Sequence, residues 1–229
     1  MAKLESTFRN MFLSLFIITV VVGLILSQVN KLTAEPIAIA KAQKLENAIK
    51  DVVPEFDNSP SNESYWMSTE NGDSLMVYPA LKGNEVVGFA ISSFSSNGFS
   101  GDIEIMVGFD TQSKIINYSV LSHAETPGLG SKMTDWFKDL NKPSQNVVGR
   151  NMDEGMLQVN KDGGQIDAIT ASTITSRAFL EAVNKAYEAY KLSNYKSGDT
   201  TTANNSLELL ETDIELTDTD SIEKGDDHE

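Results

Sequence analysis

Hydrophobic and polar positions divide this chain into stretches of different period. From Met11 to Leu26 every residue is apolar except Ser14 and Thr19. With Phe8 and Val29 at its flanks, the run approaches the ~20 residues that span a bilayer as a helix. A cleaved secretory signal has a shorter apolar core and a small-residue cleavage site. Leu32-Thr33-Ala34 fits that site poorly, so a retained anchor is expected. Ile39, Ala42, Leu45, Ala48, Ile49 and Val52 then recur at helical spacing. They predict an amphipathic helix opened by Pro36 and stopped before Pro54.

The period next shortens to two. Alternation and β-branched content predict strands over 75–78, 85–93, 102–109 and 115–121. Gly72-Asp73, Gly83-Asn84 and residues 110–113 supply the turns. Residues 157–160 and 165–169 flank Lys161-Asp162-Gly163-Gly164, a hairpin signal. A short helix holding Trp136 and Phe137 is expected over 133–140, with Trp136 in the core. A final helix over 176–192 would carry Phe179, Val183, Ala186, Tyr187 and Tyr190 on one face. Strands followed by helices predict an α+β domain with a mainly antiparallel sheet and flanking helices. The expected organisation is an N-terminus over 1–10, one transmembrane helix over 11–30, one domain over 31–192 and a tail over 193–229.

The tail changes how the charge is read. The formal net charge is −15, but residues 206–229 hold ten acidic residues against one lysine and supply −9 of it. Such a segment has little to bury and is expected to be disordered. The acidic balance excludes nucleic acid as a partner, since phosphates attract basic surfaces. Before the apolar run stand Lys3, Arg9 and the amino terminus; after it Lys31 and Glu35 cancel. The bias of positive charge predicts a cytoplasmic N-terminus and a domain on the outer face of the cell membrane.

The chain has no cysteine and two histidines, His123 and His228. Iron–sulfur clusters, thiol redox chemistry, disulfides and c-type haem attachment are therefore excluded, and with His228 in a polar tail no bis-histidine haem or three-histidine metal site is expected. An electron carried by this chain would need an organic cofactor.

One stretch is rich in hydroxyls. Between Asp167 and the segment starting at Arg177 lie Thr170, Ser172, Thr173, Thr175 and Ser176. The first turn of a helix presents unpaired N–H groups and the positive end of its dipole, which together bind phosphate. A simple helix cap uses the same residue types, but needs only one hydroxyl.

This stretch resembles the flavinylation motif of the FMN-binding domain in the G subunit of Rnf-type electron transport complexes. The C subunit of the sodium-translocating NADH:quinone reductases carries the same motif. Its pattern is Asp, two variable residues, Ser or Thr, Gly, Ala, Thr, often followed by an apolar residue and Thr-Ser. Asp167, Thr170 and Thr173 match, and Ile174, Thr175 and Ser176 match the tail; Ala171 replaces the usual Gly and Ser172 the usual Ala. His123-Ala124-Glu125-Thr126-Pro127-Gly128-Leu129-Gly130 resembles a second family block. The run from Gly98 to Asp110 resembles a third, and Lys82 to Gly88 fits as well.

The resemblance spans roughly residues 8–192 and implies a membrane-anchored electron-transfer protein. It implies FMN joined covalently through a phosphodiester to the Thr173 hydroxyl, installed by a flavin transferase from FAD. It implies partners too: the integral-membrane and iron–sulfur subunits of a complex coupling electron transfer between ferredoxin and NAD to ion translocation. Thr170, Ser172, Thr175 and Ser176 would support the phosphate. Asp167 is either a turn former or a residue recognised by the transferase. Glu125, Thr126, Gly128, Leu129 and Gly130 would form a wall for the flavin ring, although Pro127-Gly128 equally suits a structural type II turn. No catalytic or metal-binding residue is expected. The rival readings are the C subunit of a quinone reductase, which typically has a longer domain, and an anchored scaffold protein whose hydroxyl cluster is only a cap.

Overall fold

The computed structural model describes residues 7–69 and 71–197. The acidic tail beyond Ser197 lies outside the described residues. Two compact units are distinguished, one ending at Asn47 and one beginning at Ala48. Helix α1, Phe8–Val52, runs through the first and contributes its last turns to the second.

In the first unit, α1 is long and apolar enough to cross a membrane. Its two polar side chains in the apolar run are satisfied locally. Ser14 Oγ donates to the Met11 carbonyl at 3.0 Å and Thr19 Oγ1 to the Phe16 carbonyl at 2.9 Å, which lipid demands of any polar group it surrounds. The helix expected to open at Pro36 does not: Pro36 lies inside α1. Loss of one backbone hydrogen bond at Pro36 is set against ending the helix and nucleating a second one, among neighbours that favour helix.

The second unit is built on a five-stranded sheet in the order β1-β2-β3-β4-β5, every pair antiparallel. The strands are β1 Tyr65–Ser68, β2 Ser74–Lys82, β3 Glu85–Ser95, β4 Ile103–Phe109 and β5 Ile115–His123. This is the α+β arrangement that the sequence predicts. The edge strand β1 is not expected from the sequence; it has four residues, and Trp66 on it is 67% exposed.

Both faces of the sheet are covered. On one lies α3, Thr173–Ser197, whose Phe179, Val183, Ala186, Tyr187 and Tyr190 are buried in one cluster with Phe89, Ile91, Ile105, Val107 and Phe109. Tyr190 sits 5.0 Å from the Phe109 ring, and Phe179 stacks on Phe137 at 4.5 Å. The Ser93 hydroxyl donates to the Ala182 carbonyl at 2.7 Å, tying β3 to the helix. On the opposite face Ala48, Ile49, Val52 and Val53 are buried. There Gly108 of β4 lets the chain end of α1 approach: a Cβ on Gly108 would stand 1.7 Å from the Val52 carbonyl oxygen.

Further expectations change. The segment around 157–169 is no hairpin. Val159 and Ile166 form an isolated parallel bridge, and Asn160–Asp162 between them make a 3-10 turn ended by Gly163 in the left-handed region. The Ile166 N–H donates to the Gln158 carbonyl at 3.1 Å while the Ile166 carbonyl accepts from the Asn160 N–H at 2.8 Å, the staggered pattern of parallel and not antiparallel pairing. Gly164 allows the close return: a Cβ there would stand 2.2 Å from the Gln158 carbonyl oxygen. The helix expected over 133–140 is reduced to α2, Met133–Trp136, behind a 3-10 turn at Gly130–Lys132. Trp136 is half-buried rather than in the core, and its indole N–H donates to the Asp167 carbonyl at 3.0 Å. Helix α3 begins at Thr173, ahead of the expected Ser176, and reaches Ser197.

Candidate functional site

The hydroxyl-rich stretch becomes a turn and a helix start. The Ser172 N–H donates to the Ile169 carbonyl at 2.9 Å, closing a turn over Thr170 and Ala171. Ala171 has φ 62°, one of two non-glycine residues in the left-handed region among the described residues. That conformation brings Cβ against the following carbonyl and costs about 1–2 kcal/mol in an L-residue. Ser176 locks the turn to α3: its Oγ accepts from the Ile169 N–H and donates to the Ser172 carbonyl, both at 2.9 Å.

The second motif forms the loop that follows β5. Leu129 N–H donates to the Thr126 carbonyl at 3.1 Å, with Pro127 second and Gly128 third at φ 76°, the geometry of a type II turn. Glu125 before it is 5% exposed. Its Oε1 accepts from the Ser100 N–H at 3.1 Å and its Oε2 from the Thr175 hydroxyl at 2.7 Å. Its own N–H donates to His123 Nδ1 at 3.2 Å. Gly130 is required beside this carboxylate, because a Cβ there would lie 2.5 Å from Glu125 Oε2 and 2.8 Å from Thr175 Oγ1.

These two pieces face each other across a pocket of about 340 Å³, lined from the loop by Glu125, Thr126, Leu129 and Gly130. From the helix start it is lined by Ala171, Ser172, Thr173, Ile174 and Thr175. Phe99, from the segment joining β3 to β4, closes the third side. Phe99, Ile174 and Leu129 are 67%, 47% and 40% exposed. A polar floor under an exposed apolar rim suits a ligand with a charged end and a flat apolar body.

Of the residues singled out from the sequence, Gly128, Thr170, Ser176 and Asp167 do not line the pocket. Gly128 shapes the loop turn and Ser176 the helix start. Thr170 is exposed. Asp167 Oδ1 accepts from Asn160 Nδ2 at 2.6 Å, and its N–H donates to the Ser144 carbonyl at 2.7 Å. Phe99 and Ile174 lie within the matched blocks, but nothing in the sequence singles them out as walls of a pocket.

The three pocket-lining hydroxyl residues of the helix start differ in environment. Thr175 is buried at 1% exposure and its hydroxyl is committed to Glu125. Ser172 is 8% exposed, directly before α3. Thr173 is half-buried, and its Oγ1 accepts from Lys161 Nζ at 3.1 Å, leaving its own hydrogen free of any protein acceptor among the described residues. Thr173 is also the first residue of α3, where the backbone N–H groups of the first turn lack helical acceptors.

Comparison with known proteins agrees with this geometry. Residues 98–188, which contain every residue lining the pocket, match the family model of the FMN-binding domain. A protein of Aliivibrio fischeri, named as the G subunit of the ion-translocating oxidoreductase complex, is 35% identical over 171 residues, covering 70% of this chain and 79% of the relative. The Yersinia pestis protein of that name is 36% identical over 167 residues, with 69% and 78% covered. That of Shewanella oneidensis is 31% identical over 169 residues, with 69% and 77% covered. With a matching FMN-binding domain and relatives aligned along most of their length, the chain belongs to the family of G subunits of ion-translocating oxidoreductase complexes.

Proposed function

We propose that this chain is a membrane-anchored electron-transfer protein that carries FMN covalently on Thr173, within a complex coupling electron transfer to ion translocation. The observation that carries the reading is the selectivity of the pocket. Of the two threonines facing it from α3, Thr175 is held by a buried carboxylate, while Thr173 keeps an accessible hydroxyl.

FMN supplies one- and two-electron chemistry that no protein side chain here can perform. The residues present fit such a group. The start of α3 and Lys161 offer positive potential to a phosphate. Phe99, Leu129 and Ile174 offer apolar cover to a ring system and leave one side open to an electron partner. The buried Glu125 fixes the floor by joining the β5 loop, the 98–101 segment and α3 through its two carboxylate oxygens. Thr126 and Gly130 line the same wall, with Gly128 turning the loop behind them.

In this reading α1 is the anchor, with residues 1–10 in the cytoplasm, the span within 11–30 and the domain of residues 31–192 on the outer face. Integral-membrane and iron–sulfur subunits of an Rnf-type complex are its partners, exchanging electrons between ferredoxin and NAD. A flavin transferase loads the cofactor during maturation. The single span contains no charged side chain between Met11 and Leu26, so ion translocation belongs to the partners.

The test is in-gel fluorescence after denaturing electrophoresis of the chain co-expressed with its transferase. Wild type and Thr175→Val give a fluorescent band under ultraviolet light, and Thr173→Val gives none. A dark wild-type band rejects the covalent tether, and a dark Thr175→Val beside a bright Thr173→Val moves it to Thr175.

A further inference from the structure

The side chains of the Lys161-Asp162-Gly163-Gly164 turn reach the start of α3. Asp162 grips Arg177 with a two-pronged ion pair, Nε to Oδ2 and Nη2 to Oδ1, both at 2.7 Å. Arg177 is one helical turn beyond Thr173. Asn160 on the other side of Lys161 donates to Asp167 at 2.6 Å. Gly163, at φ 86°, ends the 3-10 turn, and Gly164 packs directly on Gln158. Lys161 is thus carried on a backbone fixed at both sides, and its Nζ donates to Thr173 Oγ1 at 3.1 Å. Arg177 is already neutralised by Asp162, whereas Lys161 forms no ion pair among the described residues.

We propose that Lys161 is the positioning residue of the tether: it holds the Thr173 hydroxyl for attachment and then balances the charge of the resulting phosphodiester. The inference rests on the reading that Thr173 carries the flavin. In the attachment step, Thr173 Oγ1 bonds to the flavin-side phosphorus of FAD, and the phosphoanhydride bond to the adenylate breaks. AMP leaves and the hydroxyl proton is released. No electrons change hands. An ammonium donating to Oγ1 fixes the threonine side-chain rotamer with the remaining lone pair and the hydrogen unencumbered. It also faces the negative charge that the new Oγ1–phosphorus bond places beside it. Lysine suits this role because it acts as a flexible point charge that follows the oxygen as the substituent on it changes.

The experiment uses the full chain in detergent with purified transferase and FAD. Initial rates of fluorescent-band formation are read against chain concentration. Lys161→Gln is expected to lower kcat about 10-fold, the scale of one lost hydrogen bond to a charged group, with KM changed by less than about twofold. Lys161→Arg restores most of the rate, and the melting temperatures of all three proteins coincide because Lys161 is exposed. An unchanged kcat in Lys161→Gln overturns the inference. So does a loss confined to KM, which assigns Lys161 to transferase recognition. A loss that follows a lowered melting temperature and resists rescue by arginine overturns it as well, leaving a structural role only. A wild-type chain that takes up no flavin overturns the tether reading itself, and this inference with it.

Discussion

The Thr175 hydroxyl donates a 2.7 Å hydrogen bond to Glu125 Oε2, joining the first turn of α3 to the loop after β5. Both groups are buried, at 1% and 5% exposure. Removing one partner of such a pair leaves the other desolvated, at about 1–3 kcal/mol. Thr175→Val is therefore expected to lower the stability of the domain by that amount while leaving Thr173 free to accept flavin. Thermal melting and in-gel fluorescence of the same preparation check the two halves; a dark band in a folded Thr175→Val protein contradicts the assignment of roles.

Ala171 predicts the opposite sign. Its φ of 62° is a conformation that glycine adopts without strain, and glycine is the residue the motif usually has there. Ala171→Gly is expected to stabilise the domain by about 1 kcal/mol, less the added freedom of the unfolded chain. Ala171→Val, with a branched side chain at the same φ, is expected to lose more than that. Denaturant unfolding of the three proteins orders them Gly, Ala, Val from most to least stable.

Thr173 and the loop at 125–130 are legible in the motifs, and the small-residue departure at Ala171 points to the turn where φ is positive. The strands over 85–93, 102–109 and 115–121 are legible because their apolar positions are dense, being covered by α3 on one face and the end of α1 on the other. Tyr65–Ser68 is not, because a four-residue edge strand with an exposed tryptophan has too little pattern to detect. The turn at Lys161-Asp162-Gly163-Gly164 carries a hairpin signal because Gly-Gly reads alike in any tight reversal. What makes it a 3-10 turn is packing on Gln158 and the reach of Asp162 to Arg177, neither of which has a local signature. Phe99 and Ile174 sit in matched blocks, but their place as pocket walls depends on the 125–130 loop and the start of α3 coming together, which the sequence does not show.

A pH dependence follows from Tyr187 and Asp153, which share a short hydrogen bond between α3 and the 3-10 turn at Met152–Glu154. The Tyr187 hydroxyl holds the Asp153 carboxyl below its ordinary value. Burial, then the Asp153 acceptor and charge, push Tyr187 up to about 12. The carboxylate contributes stability that is present above its unfolded pKa of about 4 and is lost as pH falls through the lower folded value. The phenol contributes stability that is present below its unfolded pKa of about 10 and is lost as pH rises from there toward about 12. Tyr187→Phe is expected to flatten both limbs of the melting temperature against pH relative to wild type, and an unchanged profile contradicts the coupling.

Peptide mass spectrometry of the full chain, purified after co-expression with its flavin transferase, addresses the tether directly. The expected result is a single modified peptide containing residues 162–177, heavier by FMN less one water, with fragment ions placing the added mass on Thr173. Unmodified peptide throughout, or fragment ions placing the flavin on Thr175 or Ser172, contradicts it.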